Sequence, residues 1–148
     1  MIEAVFFRRT FFAGLSLACC MAFTGCGSKP DETATSLSRL PFGVIDVPRS
    51  GETLRGAVGL GGWALSEDGI SRIAIYVDRN YVLAATIGGP RPDVAKVYPG
   101  FTDAATSGWN AVLDITAFPA GPHEILVQAQ SKHGAVRDLG NLAATFAK

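Results

Sequence analysis

The sequence predicts an all-β protein, a β-sandwich of about seven short strands. The chain has 17 glycines and 8 prolines among 148 residues, a composition that favours many turns over long helices. Apolar and polar residues alternate over several short segments, so that each segment has one face for a core and one for solvent. Short strands at this spacing, with no convincing helix between them, are typical of a β-sandwich.

The predicted strands follow one another from residue 43 to the end of the chain. The clearest lies at residues 72–78, because Ile73, Ile75 and Val77 alternate with other residues. Residues 43–148 are therefore expected to form one domain around a single core. We expect strands at residues 43–47, 54–60, 72–78, 81–87, 109–115, 124–129 and 142–146.

Turn-forming residues separate these strands. Residues 78–80 predict a tight hairpin turn with Asn80 in the left-handed conformation, and Gly134 is expected to take the same conformation in a second turn. The Pro-Ala-Gly-Pro stretch at 119–122 makes a corner that a helix does not tolerate. Residues 67–69 make a further turn. These connections support strands throughout.

The first residues differ in kind from the rest of the chain. Arg8 and Arg9 precede an uncharged apolar stretch, residues 10–25, and small polar residues follow. This order of basic, apolar and small residues is that of a secretory signal peptide. The apolar stretch is shorter than the ~20 residues that a membrane-spanning helix needs. We therefore predict a signal peptide over residues 1–25.

Cys26 follows that signal peptide directly. Residues 23–25, Phe-Thr-Gly, resemble the lipobox of bacterial lipoproteins, although Phe23 stands where the family usually has leucine. The resemblance implies that Cys26 receives a lipid and becomes the first residue of the mature chain. Cleavage before Cys19 or Cys20 is a poorer alternative, because apolar residues would then begin the mature chain. Cleavage before Cys26 leaves a single cysteine, which excludes an internal disulfide.

The stretch after the signal predicts a flexible tether. Residues 26–42 start at the lipidated cysteine and are mostly polar, small and interrupted by proline. Gly27 stands where an aspartate often retains Gram-negative lipoproteins in the inner membrane, so the outer membrane is favoured if the organism is Gram-negative. The export route stays open. Residues 8–12 resemble a twin-arginine signal, but two arginines also supply the charge of an ordinary signal.

Four stretches together resemble a bacterial Ig-like module of exported and cell-surface proteins. They are GGWALSEDGISRIAIYVD, RPDVAKVYPG, GWNAVLD and FPAGPHEILVQAQ, and the resemblance runs from about residue 43 to 139. The most specific elements are Gly-Trp-Ala at 62–64, Arg-Pro-Asp-Val at 91–94 and Tyr-Pro at 98–99. Residues 78–79 are Asp-Arg where the pattern has Asp-Gly, which leaves the turn type open. The resemblance implies an Ig-like sandwich without implying catalysis, since this fold hosts many functions.

Residues 88–100 form a long connection rich in glycine and proline, which we expect to bridge the two sheets. In a structural interpretation, the side chains of Arg91 and Asp93 lock the loop by hydrogen bonds to its backbone. In a functional interpretation, the loop is a recognition surface that displays Arg91, Lys96 and Tyr98. We favour the structural role for Arg91 and Asp93. In that role three further side chains close the edge of the sandwich: Val94, Val97 and Tyr98.

The remaining aromatic residues offer both core and surface candidates. Trp63 and Trp109 are in register with inward positions, which predicts that both are core side chains. Tyr76 lies on the face opposite to its apolar neighbours, and Tyr81 flanks the same hairpin. The two tyrosines could stack on a sugar or a partner protein, or they could form a cross-strand packing pair.

Other chemistries lack the residues that they need. The 13 basic and 13 acidic residues balance, which gives no footprint for nucleic acid. Residues 59–64 fit a dinucleotide fingerprint by letter, but a turn and a strand follow where a helix is required. His123 and His133 lack the spacing of metal ligands, and we expect His123 to tie the 119–122 corner to the backbone. We predict no catalytic residue, metal or cofactor.

These observations predict a non-catalytic lipoprotein of the cell envelope, with an Ig-like domain that serves as a binding or structural module. Its expected partners are the membrane, through acyl chains such as palmitate on Cys26, and an envelope protein or polysaccharide. The alternative is an accessory subunit of an exported enzyme or of a secretion system.

Overall fold

The computed structural model describes residues 40–148. The predicted signal peptide, Cys26 and most of the predicted tether lie outside the described residues. Within them, nine strands and one α-helix follow in this order: β1 (Phe42–Val47), β2 (Thr53–Arg55), β3 (Ala57–Leu65), β4 (Ile70–Val77), β5 (Asn80–Ala84), β6 (Thr86–Gly89), α1 (Pro92–Val97), β7 (Gly108–Asp114), β8 (Gly121–Ser131) and β9 (Val136–Ala147). Two short 3-10 turns, Ala104–Thr106 and Ile115–Ala117, flank β7.

The strands form two sheets around a shared core. The four-stranded sheet has the order β1-β3-β7-β6, and the five-stranded sheet has the order β2-β9-β8-β4-β5. The strand pairs are antiparallel, except that β2 runs parallel to β9. The predicted all-β sandwich is therefore confirmed. Among residues 40–148, no helix is long and apolar enough to cross a membrane.

The main core lies between the two sheets and contains the inward residues of the alternating pattern. On β4, Ile73, Ile75 and Val77 are each at most 1% exposed. Leu60 and Leu113 join them from the four-stranded sheet, in the same buried cluster. Each such side chain contributes roughly 1.5–3 kcal/mol by leaving water, so this layer supplies most of the cohesion between the sheets.

Two predicted strands are each divided between the sheets. The predicted strand at 54–60 breaks at Gly56, whose φ is 62°, so that β2 joins the five-stranded sheet and β3 joins the other. The predicted strand at 81–87 breaks at Ala85, whose N–H donates to the Ile73 carbonyl of β4 at 2.9 Å. The next residue, Thr86, already pairs with β7. These two crossings explain why nine strands replace the expected seven.

The β4–β5 hairpin turn also differs from the prediction. Asp78 and Arg79 take the left-handed conformation, with φ of 50° and 68°, and the prediction that Asn80 does so is wrong. Positive φ at both turn residues defines a type I′ turn, whose twist matches that of the flanking strands. Asn80 instead begins β5 opposite Val77. The corresponding prediction for Gly134 is confirmed by its φ of 87°.

Candidate functional site

The 88–100 segment connects β6 and β7, which are neighbours in the four-stranded sheet. The prediction that it bridges the two sheets is therefore wrong. The segment also contains α1, although the sequence analysis predicts no helix. Pro92 provides the fixed φ of a first helical position, and Asp93 and Lys96 lie in the first and last turns, where their charges favour the helix dipole. The short helix is too brief to show a helical period in the sequence.

Arg91 links α1 to β1 through two carboxylates. Its Nε and Nη2 donate to Asp93 at 3.0 and 2.7 Å, and its Nη1 donates to Asp46 of β1 at 2.7 Å. The bonds from Arg91 lower the pKa of Asp93 to about 2, and those to Asp93 raise the pKa of Arg91. Backbone groups of the loop were the expected partners of these side chains, and that expectation is wrong for Arg91. The Arg91 backbone makes such bonds instead: its N–H donates to the Ala105 carbonyl at 2.8 Å, and its carbonyl accepts from the Ala95 N–H at 3.2 Å.

An aromatic cluster packs beside α1, apart from the main core. Phe42, Trp63, Tyr98 and Phe101 contact one another with ring centroids 5.4–6.2 Å apart. Val94 of α1 is 4% exposed and packs in the same cluster. Aromatic pairs at these separations are worth about 0.5–1.5 kcal/mol beyond their burial. We conclude that the cluster fastens the 88–100 segment to β1 and β3.

The two tryptophans lie on opposite faces of the four-stranded sheet. Trp109 is 3% exposed in the main core, which confirms its prediction. Trp63 is only partly buried and lies in the aromatic cluster, so the prediction that it is a core residue is wrong. Gly62 holds the inward position beside it, where an added Cβ would collide with the Val44 carbonyl oxygen of β1 and would lie 2.9 Å from Cζ2 of Trp109. The glycine therefore makes room both for the β1 backbone and for Trp109.

These contacts favour the structural interpretation of the 88–100 segment. Arg91 binds Asp93 and, on β1, Asp46, while Tyr98 and Val94 belong to the aromatic cluster. Val97 was expected to close the sandwich edge, but its side chain is 67% exposed and that prediction is wrong. The segment therefore works as a brace on the four-stranded sheet.

A second group of predicted residues lies on the outer face of the five-stranded sheet. Tyr76 on β4 and Tyr81 on β5 meet edge to face, 5.8 Å between centroids, and the Arg72 guanidinium lies 4.8 Å from the Tyr81 ring centroid. Tyr76 Oη donates to Gln128 Oε1 at 3.4 Å, and Gln128 Nε2 donates to Asp138 Oδ1 at 2.8 Å. These five residues are named the tyrosine patch.

The tyrosine patch fits both predictions for its tyrosines, a cross-strand packing pair and a surface on which a ligand could stack. Tyr76 and Tyr81 do form a cross-strand packing pair, yet Tyr81 remains 50% exposed. Sequence reasoning missed the polar members. Arg72 lies four residues before Tyr76 on β4, so strand alternation could have placed both on the same face. Gln128 and Asp138 lie on strands distant in sequence, and alternation could not have placed them there. The patch offers an exposed ring together with a cation, an amide and a carboxylate, which suits a ligand with both apolar and hydrogen-bonding surfaces.

A histidine–aspartate pair joins the β4–β5 turn to β8. His123 Nδ1 lies 2.6 Å from Asp78 Oδ2, and His123 Nε2 lies 2.9 Å from the Pro119 carbonyl. The predicted tie between His123 and the 119–122 corner is therefore confirmed. Since both ring nitrogens are engaged, neither is free to take a proton from a substrate. Among the described residues, no group of three or more His, Cys, Asp or Glu side chains could hold a metal ion.

The comparisons with known proteins concern the fold. No family model and no curated protein matches the chain. An endo-β-1,4-mannanase from Thermotoga petrophila matches with a TM-score of 0.51 and 13% identity, over 74% of this chain and 20% of that one. CbhA fibronectin(III)-like modules from Clostridium thermocellum match at 0.46 and 17%, over 73% and 46%. A Niemann-Pick type C2 protein from the Japanese carpenter ant matches at 0.41 and 8%, over 73% and 93%.

The two packed sheets make the fold an Ig-like β-sandwich, as the sequence predicts. The chain spans less than half the length of the first two solved structures that it resembles. Likeness at these identities concerns the fold alone, and a sandwich of this kind hosts many binding and structural roles. Function has to be argued from the surfaces of this chain.

Proposed function

We propose that the protein is a non-catalytic lipoprotein of the bacterial cell envelope, whose Ig-like domain binds an envelope polysaccharide through the tyrosine patch. The observation that carries this proposal is a half-exposed tyrosine ring beside an arginine, an amide and a carboxylate on the open face of the five-stranded sheet. The 88–100 segment, by contrast, is occupied by internal contacts. The lipid on Cys26 and the tether carry the domain to the envelope.

The chemistry of the tyrosine patch suits a sugar chain. A sugar ring presents C–H groups that pack on an aromatic face, and hydroxyl groups that exchange hydrogen bonds. Tyr81 supplies the ring surface, while Gln128 and Asp138 supply a donor, acceptors and a negative charge. Gln128 is already oriented by its bond to Asp138, so it loses little freedom when a ligand binds.

The anchor and the tether place this face near the polymers of the envelope. The predicted tether over residues 26–42 would have a mean reach of roughly 20 Å, enough to separate the domain from the lipid surface and to let it turn. Gly27 after the lipidated cysteine favours the outer membrane in a Gram-negative cell. Twin-arginine and ordinary export both remain compatible with this placement.

The test is binding of the purified full-length chain to purified envelope polysaccharides, measured by affinity gel electrophoresis. Tyr81→Ala should weaken binding roughly tenfold, because the stacking surface is lost, and Tyr81→Phe should keep most of it. Val112→Ala is the matched control, since Val112 is 67% exposed on the other sheet. If the wild type binds none of the polysaccharides, or if Tyr81→Ala binds as well as the wild type, the proposal is wrong.

The alternative function, an accessory subunit of an exported enzyme or secretion system, has its own supporting observation. Val44, Val47 and Val112 on the outer side of the four-stranded sheet are 44%, 51% and 67% exposed. Gly59 and Gly61 of β3 have no side chains to cover these valines, and exposed Asn110 of β7 lies opposite Gly61. Such surfaces are frequent in protein contacts.

The two functions predict opposite mutational results. If the protein is an accessory subunit, Val112→Lys should abolish co-purification of a crosslinked envelope enzyme or secretion component, because a charge cannot be buried there without a partner. Tyr81→Ala should leave that complex intact. The polysaccharide proposal predicts the reverse, with Tyr81→Ala disruptive and Val112→Lys neutral.

A further inference from the structure

A cavity of about 290 Å³ opens at one end of the sandwich, and its lining includes no residue of the tyrosine patch. The β3–β4 turn, the β8–β9 turn and the segment before β7 meet around it. The volume is close to the lower end of the range for small-molecule sites. A small molecule, rather than a polymer, therefore fits this cavity.

Two side chains of opposite charge line the cavity and are accessible to solvent. Asp103, in the segment before β7, and Lys132, which follows β8, have side chains that are 49% and 58% exposed. Asp103 Oδ2 lies 3.5 Å from Lys132 Nζ, which is longer than the roughly 2.7–2.9 Å of a close charge-assisted hydrogen bond. An ammonium group has three donors and a carboxylate has several acceptor sites, so this one long contact leaves both groups able to bind a ligand.

Hydrogen bonds of the backbone fix the chain around both charges. The Lys132 N–H donates to the Gly69 carbonyl at 3.0 Å, and the Asp103 carbonyl accepts from the Thr106 N–H at 3.0 Å. An added Cβ at Gly69 would lie 2.7 Å from Asp103 Oδ2 and from Lys132 Nζ, so both charged groups lie against the β3–β4 turn. The two charges are therefore held side by side, which reduces the freedom that is lost when a ligand binds.

The cavity also has an accessible apolar side. Ile87, on the edge strand β6, lines the cavity and is 41% exposed. Ile70, at the start of β4, lines it too and is partly buried. A ligand with an apolar group would remove part of this surface from water.

We propose that this cavity binds a free α-amino acid with a branched apolar side chain. The ammonium of the ligand would pair with Asp103 and its carboxylate with Lys132, because both ligand groups are attached to one carbon and can meet two protein charges that lie 3.5 Å apart. The ligand side chain would lie against Ile87 and Ile70. A ligand with one charge would make only one of these pairs. This site is separate from the tyrosine patch and goes beyond the polysaccharide proposal.

The experiment is calorimetric titration of the full-length chain with L-leucine and with two analogues of the same branched shape. The first analogue, 4-methylpentanoate, lacks the ammonium group, and the second, 3-methylbutylamine, lacks the carboxylate. L-Leucine should bind saturably at one site per chain. It should bind about tenfold more tightly than either analogue, because each analogue loses one charge-assisted hydrogen bond.

Single variants test whether the two charges hold the ligand. Asp103→Asn should weaken L-leucine binding about tenfold and leave the weaker binding of 4-methylpentanoate unchanged. Lys132→Gln should also weaken L-leucine binding, but should leave the binding of 3-methylbutylamine unchanged. Lys96→Gln is the matched control, since Lys96 is an exposed lysine of α1 that does not line the cavity. Tyr81→Ala should keep full L-leucine binding, so this proposal and the polysaccharide proposal can fail separately.

A variant of the apolar side tests the orientation of the ligand. Ile87→Ser should weaken L-leucine binding several-fold and leave the binding of glycine, which has no side chain, unchanged. The substitution is at a partly exposed position of an edge strand, so the domain should fold. Three results would each overturn the proposal: no saturable binding of L-leucine, equal affinity for either analogue, or full L-leucine affinity in Asp103→Asn or Lys132→Gln.

Discussion

Asp78 shows how one residue can fix the relation between a turn and a distant strand. Its backbone N–H donates to the Glu124 carbonyl at 2.9 Å, and its carboxylate accepts from the Glu124 N–H at 3.0 Å. The second carboxylate oxygen lies 2.6 Å from His123. The backbone bond from Glu124 and the contact with His123 lower the pKa of Asp78, and the bond to Asp78 raises the pKa of His123.

The Asp78–His123 pair predicts a pH window of greatest stability. Because the pKa of His123 is raised above 6.5 by folding, its contribution is fully present below that pH and is lost as the pH rises through the raised value. The contribution of Asp78, whose pKa is lowered from 3.8, is present above pH 3.8 and is lost as the pH falls through the lowered value. The melting temperature should therefore decline from pH 6 to pH 9.

Thermal unfolding of two single variants checks this expectation. His123→Asn should flatten the decline in melting temperature above pH 6, because the titrating group is gone. His133→Asn is the matched control, because His133 is the other of the 2 histidines in the chain. Its side chain also lies beside an aspartate, Asp68, but is 76% exposed. A decline that survives in His123→Asn but disappears in His133→Asn would contradict the assignment.

Arg91 provides the second prediction at the residue scale. Arg91→Ala removes the contacts with both Asp93 and Asp46, and should lower the free energy of unfolding by about 1 kcal/mol, since the pairs are partly exposed. Asp46→Asn should cost less, because Arg91 keeps Asp93. Chemical denaturation at low salt measures both losses, and added salt should reduce them.

A double-mutant cycle separates direct pairing from general damage. Arg91→Ala and Asp46→Asn should lose less together than the sum of the single losses, because each removes the same contact. Asp138→Asn, on the outer face of the five-stranded sheet, is the control partner and should add to Arg91→Ala. Strict additivity of the Arg91 and Asp46 losses would exclude the brace between α1 and β1.

At the scale of elements, the β4–β5 turn departs from the sequence that its geometry prefers. A type I′ turn needs positive φ at both central residues, which glycine and asparagine adopt at little cost. Arg79 has a φ of 68° in the second position, where the resembled module has glycine. The bonds of Asp78 to Glu124 offset the free-energy cost of its left-handed conformation. The Arg79 side chain, by contrast, is exposed to solvent.

Arg79→Gly should therefore stabilise the domain, by about 1 kcal/mol, because the left-handed strain of an L side chain is relieved. The free energy of unfolding from urea titration is the measurement. Arg137→Gly is the matched control: Arg137 is an exposed arginine within β9, where glycine should destabilise. If Arg79→Gly is less stable than the wild type, the φ values do not govern this turn.

In the whole molecule, one β-sandwich domain follows the predicted lipid anchor and tether in the sequence. The two sheets bury a common core, and their outer faces differ: one carries exposed valines and the other carries the tyrosine patch. The predicted tether would let the domain turn, so that either face could meet a partner while the predicted lipid on Cys26 held the protein in the membrane.

Lipidation of Cys26 is the prediction at this scale. The wild-type protein should incorporate labelled palmitate and fractionate with membranes, because each buried methylene adds ~0.8 kcal/mol of membrane affinity. Cys26→Ala should take up no label and move to the soluble fraction. Cys20→Ala is the control and should remain lipidated. If Cys26→Ala keeps the label and Cys20→Ala loses it, the lipid is attached at Cys20, after cleavage at the site that the sequence analysis judged poorer.

Contacts within the candidate sites could be predicted from the sequence only where the residues lie close together in the chain. Tyr76 and Tyr81 flank one hairpin, so their contact could be predicted from the strand pattern. Arg91 could be singled out from its motif, but Asp46 lies on β1, which five other strands separate from Arg91, and nothing local identified it as a partner. A cavity at one end of the sandwich is lined by residues of both sheets, among them Trp109 and Ile73, and no sequence pattern predicted it.

Alternation and turn chemistry act between near neighbours, so they were enough to predict the all-β class, most turns and the inward residues of strands such as β4. The points at which the chain changes sheets, Gly56 and Ala85, and the side of the sheet that Trp63 occupies could be seen only in the folded domain. Alternation has the same period in either sheet, so it cannot report which sheet a strand joins. That choice depends on packing between residues far apart in the chain, and it determines which side chains each outer face presents.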